Sequence, residues 1–189
     1  MLVPGLQSEA CSTAVQRSRL SQLVQNTDGA TAVEFGLIAA PFIAMLFAVL
    51  QTTLVFFAGR LLDTAVSQSS RLILTGQAQD QNMSQSAFAN AVCSKVYALF
   101  NCSKLMVDVQ TAGSFSNANT STPTLTFDKS GNVTNPWQYQ PGSPGDIVVV
   151  RVMYQWPVFL GPLAFNLSNL SNGNRLLVAS AAFKNEPYQ

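Results

Sequence analysis

Few side chains in this sequence are equipped for chemistry. None of its 189 residues is histidine, which removes the commonest general base and the commonest protein metal ligand together. A Ser-His-Asp triad is therefore impossible, and no G-x-S-x-G nucleophile elbow occurs. Cys11 stands upstream of a long apolar run, and Cys93 and Cys102 stand downstream of it, close to one another. Two thiolates without histidine make a poor metal site. In an oxidising compartment Cys93 and Cys102 would close a short loop as a disulfide, restricting the unfolded chain by roughly 2–3 kcal/mol; otherwise they are two unpaired structural thiols. The expectation is a protein that is not an enzyme and needs neither metal nor cofactor.

One ionisable residue stands in an unusual setting. Glu34 immediately precedes FGLIAAPFIAMLFAVLQTTLVFFAG, a stretch from Phe35 to Gly59 without a charge. As a helix that stretch is about 37 Å long, more than the roughly 30 Å of a bilayer's hydrocarbon. A carboxylate at the mouth of such a segment is costly unless it has a partner, which makes Glu34 a functional candidate. Thr31 and Glu34 also fit a capping box at a helix N-terminus, where acidic side chains are favoured. Gly29, with no side chain to screen its peptide bonds, lies just upstream. Pro41 falls in the first third of the segment, where a membrane helix tolerates it. Gln51, Thr52 and Thr53 interrupt the apolar run, and either face another helix or mark the outer interface.

The elements around these residues follow from pattern. Met1 to Asp28 is polar and rich in Ser and Gln, without the apolar centre of a secretory signal, and reads as a cytoplasmic leader. Arg17 and Arg19 favour an inside N-terminus, although Arg60 and Arg71 beyond the far end weaken that vote. After Gly59 the helix continues as an amphipathic one. Leu61, Leu62, Ala65, Val66, Ser69, Leu72 and Ile73 recur at three- and four-residue spacing, with Arg60, Asp63, Ser67, Ser70 and Arg71 between them, as far as Gly76. A second helix is predicted over Met83 to Phe100, capped by Ser84, with Phe88, Val92, Val96, Leu99 and Phe100 on one side. LMVDVQT, TLTF, GDIVVVRVMYQWPV and RLLVASAAF then read as strands separated by turn-rich stretches. Tyr154 and Trp156 form either one packed face or a ligand platform, the former fitting their alternation better. The predicted class is α+β: a long N-terminal transmembrane helix with an amphipathic extension, then a short helix on a small antiparallel sheet. The organisation is a leader over 1–29, a helix over 30–78 and an extracytoplasmic α+β domain over 79–189.

Charge excludes one class of partner. Only 10% of residues are charged against 48% apolar, and the net charge is +1. The lysines and arginines are scattered singly, with no row that could neutralise phosphates, so nucleic acid is not an expected partner.

The junction DGATAVEFGLIAAPF resembles the cleavage site of type IV prepilins and their minor relatives. More narrowly, the sequence from Gly29 to Gln77 is similar to the TadE-like family of minor pseudopilins of the tight adherence (Tad) pilus system, whose members carry a G-x-x-x-V-E-F-A-L-like stretch. The ending VVVRVMYQWPV and AAFKNEPYQ also looks like that of family members, while Gly36 and Gln51 depart from the common pattern. The resemblance implies cleavage between Gly29 and Ala30 by a prepilin peptidase. It implies that Glu34, with Phe35 behind it, acts in assembly by pairing its carboxylate with the new amine of Ala30 on a neighbouring subunit. The implied partners are that peptidase, other minor pseudopilins and the major pilin, the inner-membrane assembly platform, and lipid. The implied location is the inner membrane, single-pass, with the C-terminal domain periplasmic. About a hundred residues of globular domain suit a minor subunit better than a repeated one.

Overall fold

The computed structural model describes residues 29–159 and 166–187. Helix α1 runs unbroken from Ala30 to Leu74 through Pro41, about 68 Å of helix. Gly76 stops it by taking the left-handed conformation, φ 80°, which glycine adopts without steric cost. The short α2, Gln77–Asp80, follows. Helix α3, Gln85–Cys93, is capped by Ser84, whose hydroxyl accepts from the Ala87 amide at 3.2 Å. Strands β1 (Met106–Ala112), β2 (Ile147–Trp156) and β3 (Arg175–Lys184) form one antiparallel sheet in the order β1-β2-β3. The α+β class read from the sequence is the observed one.

Residues 47–189 form one compact unit. Within it the sheet has two covered faces. Val107 and Val109 of β1, with Val148, Val150 and Val152 of β2, pack against Val55, Leu62, Val66 and Ile73 of α1 and Phe88 and Val92 of α3. On the opposite face Met153 and Leu176 pack with Leu125, Phe127 and Trp137 from the connection 113–146. The period-2 alternation of the strands therefore sends apolar side chains to both layers, as strands buried on two sides require.

Three expectations need correction. TLTF is not a strand of the sheet; Phe127 makes only an isolated antiparallel bridge with Val133. Its apolar residues serve instead to cover the second sheet face, while the Gln138–Gln140 backbone, through the Val109 amide and carbonyl, occupies part of the outer edge of β1. Helix α3 ends at Cys93 rather than Phe100, and Leu99 is 38% exposed. A helix through Phe100 would carry the chain about 10 Å from Cys93, whereas Cys93 and Cys102 are disulfide-bonded with Cα atoms 5.6 Å apart. Ser70, assigned to the polar side of α1, is buried beside Ser69. The remaining alternation of α1 beyond Gly59 is as read: Leu62, Ala65, Val66 and Ile73 are buried, and Arg60, Asp63, Ser67 and Arg71 are exposed.

Candidate functional site

The mouth of α1 is open. Gly29 is exposed, and a side chain added there would meet nothing within 4 Å. Glu34 and Phe35 are exposed as well, Phe35 at 75%. Among the described residues no hydrogen bond or ion pair engages the Glu34 carboxylate. The helix includes Ala30 and Thr31, and its first turn holds no acidic residue, Glu34 lying just beyond it. The segment 1–28, read from the sequence as a leader and containing Cys11, Arg17 and Arg19, lies outside the described residues.

Beyond the mouth the helix surface is apolar all round. Of 18 exposed large hydrophobic side chains among the described residues, 14 lie in 33–57, far more contiguous apolar surface than water tolerates. It is the one helix among the described residues long and apolar enough to cross a membrane, with a mean hydropathy of 2.3 over its best window, and it fits a single-pass anchor. The polar trio within it finds partners, two of them in the helix itself. Thr52 and Thr53 donate to the carbonyls of Ala48 and Val49 at 2.8 and 2.9 Å, and the Gln51 amide donates to the Phe159 carbonyl at 2.7 Å. Gln51 therefore lies where the loop after β2 comes against the helix.

The globular unit holds a polar site that the sequence reading missed. Asp108 and Arg151 are register partners across β1 and β2, 1% and 6% exposed. Arg151 Nε and Nη2 donate to Asp108 Oδ2 at 3.1 and 2.5 Å, the Gln138 amide donates to Oδ1 at 3.0 Å, and the Gln110 side chain donates to both oxygens. Such a pair fixes strand register and pins the connection 113–146 to the sheet, because breaking it strands a buried charge. One charge in each of two otherwise apolar strands, LMVDVQT and VVVRVMY, was the available signal. Nearby, burial raises the Tyr139 hydroxyl above its ordinary pKa. In the exposed turn at 128–132 the Asn132 amide, then its side chain, hold the Asp128 carboxyl below the usual range.

Tyr154 and Trp156 are packed rather than presented: both lie against Phe100, with centroids 4.8 and 5.6 Å away in edge-to-face geometry. A groove of about 690 Å³ beside them is lined by Asn101, Trp137, Gln155, Asn172 and Asn174. Among the described residues no cluster of three His, Cys, Asp or Glu side chains could hold a metal ion. The structure brings Cys93 and Cys102 together, and Glu34 has no partner among the described residues.

Residues 29–71 match the family model described as TadE-like protein. The match opens on Gly29, takes in Glu34 and the whole apolar stretch, and ends within the buried stripe of α1. Comparison with the curated proteins and with the solved structures yields no match.

Proposed function

We propose that this chain, TadE-like over residues 29–71 and so associated with a Tad pilus, is a minor pseudopilin cleaved between Gly29 and Ala30. The observation that carries the reading is the mouth of α1: an accessible glycine followed by a helix whose Glu34 has no partner of its own among the described residues. A peptidase at the membrane face needs backbone it can enter, and Gly29 supplies it. Cleavage creates an ammonium on Ala30. In a neighbouring subunit that cation is the partner Glu34 lacks, and in a medium of low dielectric the two charges attract far more strongly than in water. Until then the lipid bilayer holds the apolar surface of 33–57. The periplasmic domain makes contacts with other minor pseudopilins and the major pilin on the assembly platform, at the start or tip of a pilus that supports surface adherence. No catalysis and no cofactor are required.

Intact mass and N-terminal sequencing of the protein from membranes test this. The expected first residue is Ala30, and Gly29 replaced by leucine should leave the leader attached; a wild-type chain beginning at Met1 identifies an unprocessed signal-anchored binding domain instead. Glu34→Gln should leave membrane insertion and Ala30 cleavage intact while abolishing incorporation into pili. Normal piliation in that strain would remove Glu34 from assembly.

A further inference from the structure

Two contacts fix how the sheet lies along α1 within the unit 47–189. Just past the end of β2, the Phe159 carbonyl accepts from the Gln51 side chain at 2.7 Å; just past the end of β3, the Glu186 amide donates to the Leu74 carbonyl at 2.9 Å. The helix from Gln51 to Leu74 rises about 35 Å, and β2 spans about 30 Å. The strands therefore run along the helix. The register partners Trp156 and Arg175 lie at its Gln51 end, and Ile147 and Lys184 at its Leu74 end.

The Gln51 end adjoins apolar helix surface. Phe47, Leu50, Leu54 and Phe57, on either side of Gln51, are all more than half exposed, so the bilayer that covers them reaches the loop carrying Phe159. Phe159 itself is 79% exposed. Four large hydrophobic side chains outside α1 are exposed among the described residues, and three of them, Tyr97, Leu99 and Phe159, belong to this end. Tyr97 and Leu99 stand on the turn that brings Phe100 onto the rings of Tyr154 and Trp156. The fourth, Phe115, follows Ala112, the partner of Ile147, at the other end. Charge divides in the same sense. Lys95 and Lys104 lie just beyond the two halves of the Cys93–Cys102 disulfide, where β1 begins, and Arg175 opens β3. Asp128 is at this end too, offset by its neighbour Lys129, in the turn that shares a groove with Lys104. At the Leu74 end the exposed carboxylates are Asp80, Asp146 and Glu186, against Arg71 and Lys184.

We propose that the Gln51 end of the globular unit seats on an anionic phospholipid surface, the bilayer that holds its own α1. Phe159 enters the acyl chains, Tyr97 and Trp156 lie at headgroup depth, and Lys95, Lys104 and Arg175 face the phosphates. Tyrosine and tryptophan settle at that boundary because each ring has an apolar body and a polar tip. Each basic side chain near an anionic bilayer favours the contact by about fivefold. Because helix and lipid already adjoin at Gln51, the seat forms within one chain and needs no separate encounter. It ties the orientation of the unit to the bilayer for as long as α1 stays there. The contact requires the membrane anchor, and neither cleavage nor a pilus.

Spin labelling of the full chain, carrying Cys11→Ser and reconstituted into phosphatidylcholine vesicles with a minority of phosphatidylglycerol, tests the apolar half. A nitroxide on Phe159→Cys should collide with oxygen, which concentrates in hydrocarbon, more often than with a water-soluble nickel chelate, as one on Leu50→Cys does. On Phe115→Cys the order should reverse. A water-like label at position 159 with a lipid-like one at position 50 overturns the proposal and leaves the anchor standing; water-like labels at both remove both. Spectral broadening at position 159 that disappears on dilution with unlabelled chain assigns the loop to a second copy instead. Hydrogen exchange reads the basic half. Amides of residues 97–104 should exchange more slowly in these vesicles than in pure phosphatidylcholine, while those of 113–118 should not change. Lys95→Gln with Lys104→Gln should lower the ratio of seated to unseated units about 25-fold, at fivefold per cation, and so remove the difference between the two lipids. Equal exchange of 97–104 in the two lipids, or a difference that survives in the folded double variant, overturns the role given to these cations.

Discussion

Helix α1 meets two different surroundings along one continuous backbone. From Val33 to Leu54 large apolar side chains point outward on every side, and Val33, Phe35, Leu37, Ile38 and Phe42 are all more than half exposed. Beyond Phe57 the apolar residues narrow to a stripe, with Ala58, Leu62 and Ile73 fully buried against the sheet and Arg60, Asp63 and Arg71 turned away. A helix apolar all round is built for a hydrocarbon solvent, whereas one with a stripe is built for a protein core and water. The same residue type therefore has different worth in the two stretches. A leucine before Val55 contributes to partition into lipid, and one after it contributes to the folding of the unit 47–189.

The sharpest way to break this contrast is one truncation in each stretch. Leu62→Ala should lower the unfolding free energy of the globular unit by about 4 kcal/mol, the upper part of the range for a fully enclosed leucine. Leu50→Ala, at a position 58% exposed, should change it by less than about 0.5 kcal/mol. Denaturant unfolding in detergent, followed by near-UV signals of the domain, measures both. Equal losses would mean that the two stretches do not have separate tasks.

The second sheet face extends the contrast, since its cover is a loop and not α1. Its strength rests on the Asp108–Arg151 pair, so Asp108→Asn should cost about 3 kcal/mol by leaving the Arg151 cation buried without a counter-charge. Replacing both partners with residues of similar volume, Asp108→Leu with Arg151→Met, should recover most of that loss. A double variant no more stable than the single one would show that the surrounding hydrogen bonds, not the buried charge, carry the effect.

How much of this was legible beforehand depends on whether a feature is local. The apolar run, the stripe beyond Gly59, the cap at Ser84 and three strands are written in short-range periodicity and were readable. The Cys93–Cys102 pairing followed from spacing and compartment. What the sequence did not disclose are long-range outcomes. TLTF has strand composition, yet its Leu125 and Phe127 pack on the second sheet face with Met153 and Leu176 rather than extending the sheet. Asp108 and Arg151 lie 43 residues apart, and only the pairing register makes them partners. At the mouth of α1, sequence proposed two roles for Glu34, a helix cap and an assembly contact, and the second would need a group from another chain.

The smallest effect expected is in the turn at 128–132, far in sequence from α1 and therefore a control for both stretches. The Asn132 amide, then its side chain, hold the Asp128 carboxyl below its ordinary value. The unfolded chain takes up this proton first as pH falls, so the turn's contribution is complete above the ordinary carboxylate value near 3.8 and is lost as pH drops through the lower, folded one. Because Asp128 is fully exposed, the loss should show as local loosening and not as unfolding. Hydrogen exchange of the Ser130 and Asn132 amides, both donating to Asp128 Oδ1 at 2.8 Å, should accelerate beyond the intrinsic pH trend below that range. In Asp128→Ala the excess should vanish, with Leu62 and its neighbours unaffected. If acid instead released the amides of β1 and β2 together with those of the turn, the loop layer and the helix layer would be one cooperative unit, and the division of labour along α1 would have to be redrawn to include it.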